Sequence, residues 1–146
     1  MPSLYVEVEI DAPRSVVWES LIRKDKWSYW NTFLLDRDPE NPFEKGKRLL
    51  IAQRRLAKER ETEFQVLVTA FQPGVCLRWV CQAPGFRSEQ VFELQDVGFR
   101  RTQYRHLEIL AGTLAPIVLP FIRRDEQRGL NRMAAELKYY AEHRAY

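Results

Sequence analysis

The sequence has only two cysteines and two histidines in 146 residues, so neither a disulfide scaffold nor a histidine-rich metal centre can be built from it. Cys76 and Cys81 fall on one expected strand, about 16 Å apart at about 3.3 Å per residue and pointing to opposite faces. Both are expected as free thiols, because a disulfide needs Cα atoms within about 7 Å. No apolar run approaches bilayer length, and the first ten residues carry Glu7 and Glu9 without a basic stretch, so neither stable membrane insertion nor a signal peptide is expected. The expected location is the cytoplasm.

Catalytic signatures are missing as well. There is no glycine-rich phosphate loop, no Gly-x-Ser-x-Gly elbow and no His-Glu-x-x-His pair. Nothing in the sequence calls for a metal or any other cofactor. The net charge of +3 is too small to suggest nucleic acid as a partner. Basic residues gather at Lys45, Lys47, Arg48, Arg54, Arg55, Lys58 and Arg60, interrupted by Glu44, Glu59 and Glu61, which reads as the solvated tip of a hairpin.

What is present is a single domain, 1–146, with 45% hydrophobic and 29% charged residues. Leu4, Val6, Val8 and Ile10 alternate with polar positions, as in a strand with one buried face. Asp11 is placed to cap a short helix with Pro13 in its first turn, ending near Arg23. Residues 24–29 form a second short helix or turn, and Trp27, Trp30 and Phe33 follow at three-residue intervals. The Pro-, Asn- and Asp-rich segment 36–46 reads as a loop whose only large apolar residue is Phe43.

Alternation then gives five strands at 47–55, 61–72, 75–82, 87–95 and 99–110. Turns are marked by Pro73-Gly74, Pro84-Gly85 and Val97-Gly98, and connections this short join antiparallel neighbours in a meander. A long helix follows, from 116 or 120 to about 144. Leu130, Met133, Ala134, Leu137 and Ala141 form its apolar stripe, with Tyr140 at the margin. Toward the N-terminus the stripe meets Glu126 and Arg123 before Ile122 and Leu119, and Gly129 stands where a close approach or a bend would need it. The fold class is therefore α+β: a curved antiparallel sheet wrapped around a long C-terminal helix, with two short helices after the first strand.

Along the last strand Thr102, Tyr104, His106 and Glu108 share one face, and Gln103, Arg105, Leu107 and Ile109 the other. Turned inward, the first set offers acid and base groups in a low-dielectric site. Turned outward, His106 and Glu108 only satisfy one another or the backbone. Trp79 shares a face with Leu77 and Cys81, and Phe92 with Leu94; either set can line a cavity or fill a core.

Ile10, Ala12, Pro13, Val17, Trp18, Trp27, Trp30 and Asn31, then 92–94, Thr102, Tyr104, His106, Glu108 and Gly112, then Asn131 and 137–142, resemble the SRPBCC superfamily, the START-related helix-grip fold shared with birch-pollen-allergen-like and polyketide cyclase-like proteins. Arg100 and Arg101 depart from it, standing where relatives often have glycine. The resemblance implies a hydrophobic cavity between sheet and terminal helix, holding a lipid, sterol or polyketide-like molecule. Its expected wall is Trp30, Phe33, Trp79, Phe92, Tyr104, Met133 and Leu137, with His106, Glu108 and Arg123 as polar anchors. Alternatives are a cyclase or dehydratase using His106 and Glu108, and a protein-interaction module with a filled core.

Overall fold

A computed structural model describes residues 3–54 and 61–144. Arg55, Lys58 and Arg60 of the expected basic hairpin tip lie outside the described residues. In chain order the elements are β1 (Ser3–Ile10), α1 (Arg14–Ile22), a 3-10 helix (Lys24–Tyr29), β2 (Leu34–Asp36), β3 (Arg48–Gln53), β4 (Thr62–Gln72), β5 (Cys76–Ala83), β6 (Phe86–Gly98), β7 (Arg101–Ala111) and α2 (Ala115–Arg144). The seven strands make one antiparallel sheet in the order β1-β7-β6-β5-β4-β3-β2. Register shifts between Val68 and Ala70 and between Asp96 and Gly98 mark bulges, which add local twist and help the sheet curl around α2.

The meander is as expected, with three local corrections. β2 has no signal in the sequence and its last residue, Asp36, falls in the expected loop 36–46, because three residues are too few to show a period. Asn31 Oδ1 starts it by accepting the backbone N–H groups of Phe33 and Leu34 at 2.9 Å each. Asp36 then forms a buried ion pair with Lys24 at 2.9 Å. The last hairpin turns at Phe99-Arg100, beyond Val97-Gly98, and Arg100 takes the left-handed backbone (φ 52°) that glycine adopts without strain. Asp11 does not cap α1. Pro13 holds the N-cap position, its carbonyl accepting from Val16 and Val17, while the Asp11 N–H donates to Glu142 on α2 at 2.8 Å.

The apolar stripe of α2 docks as its spacing requires: Leu130, Met133, Ala134, Leu137 and Ala141 are fully buried. The sheet and one helix do not fill the space alone. Trp27 turns inward, its indole donating to the Leu21 carbonyl at 2.9 Å, and Phe43 stacks on Trp79 with ring centroids 5.5 Å apart. Trp27 of the 3-10 helix and Phe43 of the following loop thus complete a solid core beneath the C-terminal half of α2.

Gly129 marks where that core begins. A Cβ there would lie 2.2 Å from Phe33 Cε1, so the bare helix backbone is what seats the Phe33 ring. Alanine gains about 1 kcal/mol of helix propensity, but overpacking a buried ring costs about 1–3 kcal/mol or more. Gly129→Ala is therefore expected to lower stability by about 1–2 kcal/mol in urea unfolding, and Phe33→Leu in the same chain should recover part of the loss.

Candidate functional site

Where the packed core ends, the same inner surface turns polar around a cavity of about 220 Å³. Gln53 of β3, Thr62 and Phe64 of β4, Trp79 and Cys81 of β5, Phe86, Ser88 and Gln90 of β6, Glu108 of β7, and Ile122 and Glu126 of α2 line it. Register builds the polar wall. Gln90 stands opposite both Trp79 and Glu108, and Ser88 stands opposite Cys81, so alternate residues of three neighbouring strands face one space. Glu126 enters from the helix above.

These polar groups form one chain. His106 Nε2 donates to Gln90 Oε1 at 2.6 Å, which places the imidazole proton on Nε2 and leaves Nδ1 buried without a partner. Gln90 Nε2 donates to Ser88 Oγ at 3.4 Å, and Ser88 Oγ donates to Glu108 Oε2 at 3.2 Å. The Glu108 and Glu126 carboxyls are within hydrogen-bonding reach, and Gln53 Nε2 donates to Glu126 Oε1 at 2.8 Å. The chain crosses from β7 to β6, returns to β7 and continues through α2 to β3.

Burial sets the protonation states. Desolvation pushes the Glu108 carboxyl well above the usual carboxylate range, and the charge of Glu126 and the hydrogen bond to it add to the rise; Gln90 and Ser88 oppose it in part. Desolvation drops His106 to about 3, so the ring is neutral, and it raises the Tyr104 phenol. The Cys81 thiol is raised for the same reason. The site can thus hold a neutral carboxylic acid beside a second carboxyl in a largely apolar pocket, an arrangement suited to donating a proton or to binding a cation.

The inward orientation of Thr102, Tyr104, His106 and Glu108 answers the question that parity left open, since all four are buried. Of the expected wall and anchor residues, Trp79 and Glu108 line the cavity. Phe33, Phe92, Tyr104, Met133 and Leu137 belong to the packed core. His106 sits behind Gln90, its ring 4.1 Å from that of Phe92, and is not among the cavity-lining residues. Trp30 stacks on Tyr140 and borders a separate groove of about 480 Å³ between the 3-10 helix and the last turns of α2. Arg123 points outward, its guanidinium reaching the Ser3 carbonyl at 3.5 Å, because Ile122 is the residue one turn before Glu126 that turns inward.

Gln90, Ser88 and Phe86 were not anticipated in the site. Extending the parity of Phe92 and Leu94 backward along β6 reaches all three; their mixed polarity hid the signal. Gln53 carries no signal in the sequence.

No protein-family model matches the chain, and a search of curated proteins finds no match. Solved structures do resemble it. A START superfamily protein from Mycobacterium smegmatis aligns over 98% of this chain and 99% of its own, with a TM-score of 0.74 and 15% identity. The di-domain ARO/CYC BexL from the BE-7585A biosynthetic pathway aligns over 95% of this chain, which spans 46% of it, with a TM-score of 0.69 and 15% identity. DynU16, a putative protein in the dynemicin biosynthetic locus, aligns over 96% of this chain and 47% of its own, with a TM-score of 0.68 and 18% identity. At such identities the likeness concerns the fold. It is the SRPBCC-type, START-like helix-grip fold that the sequence resemblance implied.

Proposed function

We propose that this helix-grip protein is a carrier or sensor that binds a hydrophobic small molecule in the cavity at the N-terminal half of α2. The observation that carries the reading is the change along one inner surface, from solid packing under Leu130 to Ala141 to an open space walled by Phe64, Trp79, Phe86 and Ile122. A concave, mainly apolar site with a few convergent polar groups is the usual form of a small-molecule site. At about 220 Å³ the cavity is smaller than most such sites, so the ligand is small or leaves part of its body at the mouth. The START superfamily name of the M. smegmatis structure is in keeping with this reading.

Cys81 supplies a direct test because its thiol lines the cavity, whereas Cys76 lies on the other face of β5 as an internal reference. Protein as purified and protein stripped by denaturing extraction and refolded are alkylated side by side. Cys81 is expected to react several-fold more slowly in the occupied protein, with Cys76 unchanged. Equal Cys81 rates in both preparations, from more than one expression host, would count against a resident ligand.

The second reading is an enzyme of the cyclase or dehydratase kind, favoured by one observation: Glu108 is buried beside a second carboxyl, which raises its own well above the usual carboxylate range and suits it to act as a general acid. The ARO/CYC title of BexL fits that reading. His106, one residue removed from the cavity, would position Gln90 in it, with no direct contact to the substrate. Glu108→Gln would then abolish turnover of a bound substrate while leaving binding in place.

A further inference from the structure

The first turns of α2 direct Ala115, Leu119, Ile122 and Glu126 toward the sheet and the cavity. Their opposite face is apolar too. Leu114, Ile117 and Phe121 recur at steps of three and four residues, so they stand in one row, and they are 43%, 62% and 83% exposed. Pro116 and Pro120 flank the row and are exposed as well. Single apolar residues on a surface need no explanation, but a contiguous row on the solvent face of a helix marks a contact surface.

The row continues as charge. Arg124 and Arg128 follow Phe121 at the same three- and four-residue steps, Arg123 stands beside them, and all three are exposed; half-buried Asp125 offsets one of them. At about 1.5 Å per residue the apolar part is about 10 Å long and the cationic part about as long again. Such a row matches a bilayer surface that carries anionic lipid, where apolar side chains enter the acyl boundary by about 5–10 Å and guanidinium groups stay among the phosphates. A second copy of the chain fits less well. Three large side chains and two prolines fall short of the roughly 800 Å² that each partner of a stable dimer buries, and a two-fold contact would set both groups of arginines on one seam. Among the described residues no helix is long and apolar enough to cross a membrane, so the contact is with its surface.

We propose that the outer row from Leu114 to Arg128 docks on a bilayer containing anionic phospholipid. Ile117 and Phe121 enter the acyl boundary, and Arg123, Arg124 and Arg128 meet the head groups. The inner face of the same turns still roofs the cavity, so the contact stands whatever the cavity holds.

Flotation of the whole chain with phosphatidylcholine vesicles, with and without phosphatidylglycerol, is the test. Binding is expected to be roughly tenfold or more tighter with phosphatidylglycerol present and to weaken as salt is raised. Ile117→Ser/Phe121→Ser and Arg124→Gln/Arg128→Gln should each lower it by roughly tenfold or more. All four positions are exposed, and an unchanged urea midpoint shows that the fold is intact. Should either pair unfold the chain, Phe121→Trp decides: its indole is expected to be quenched by brominated lipid, while Trp18, Trp27, Trp30 and Trp79, each at most 8% exposed, are not. Equal binding to both vesicle types, binding to neither, undiminished binding by a folded variant, or an indole at 121 that lipid does not quench overturns the proposal. So does a concentration-dependent dimer in analytical ultracentrifugation that Phe121→Ser abolishes, since the row would then belong to a second copy. Each of these outcomes leaves the cavity reading standing.

Discussion

Replacing His106 by phenylalanine is expected to tilt the pH dependence of stability in the opposite direction from replacing Glu108 by glutamine. The folded protein holds His106 near 3 against an ordinary value of 6.5. Between those limits the unfolded chain takes up a proton that the folded chain refuses, so stability is full above 6.5 and falls as pH drops, by about 1.4 kcal/mol per pH unit. Glu108 works the other way. Its folded value lies above the ordinary 4.5, so the folded chain keeps a proton that the unfolded chain releases, and stability falls as pH rises from 4.5.

Between 4.5 and 6.5 the two slopes oppose one another in the native protein. His106→Phe leaves the Glu108 slope, so the variant loses stability as pH rises through this window. Glu108→Gln leaves the His106 slope, so the variant loses stability as pH falls. Across this window the two curves should run in opposite directions, one falling and one rising with pH. Glu7, Asp25 and Glu142 are held below their ordinary values, so their contributions are lost at lower pH and do not disturb the window. Urea unfolding from about pH 5 to 6.5 reads the slopes. Parallel curves for the two variants would mean that neither group is buried as described.

Trp79→Ala is expected to cost about 3–5 kcal/mol and to weaken ligand binding in the same protein. Trp79 is 1% exposed, stacks on Phe43 at 5.5 Å and meets Phe92 edge-on at 4.9 Å, yet it also forms the cavity wall next to Gln90. Truncation joins the cavity to a new void in the core. A tryptophan that only walled an open cleft would cost about 1 kcal/mol, so the size of the loss separates the two roles. Stability is read by urea unfolding, and binding by calorimetry with 2-phenylethanol.

These residues also show what the sequence could and could not convey. Parity along β7 placed Glu108, His106 and Tyr104 on one face, and the stripe from Leu130 to Ala141 placed the anchor of α2, because both depend on local periodicity. Which inward residues pack and which line a space depends on what the loops contribute. Phe43, alone in a polar segment, fills the volume over Trp79, so Phe33, Phe92, Tyr104, Met133 and Leu137 pack together where a cavity wall was expected. Arg123 and Ile122 lie on either flank of the extrapolated stripe, and only the docked angle of the helix decides which one turns in. Gln53 reaches Glu126 across 73 residues of sequence, a distance at which local patterns say nothing.

The central claim, a hydrophobic small molecule held beneath the N-terminal half of α2, is tested most directly by native mass spectrometry of the gently purified protein beside Cys81→Phe, whose added ring fills the cavity. The account predicts a mass above that of the chain in the wild type, released on denaturation and missing from Cys81→Phe. The chain mass alone across several expression hosts, or the same added mass in both proteins, would contradict it.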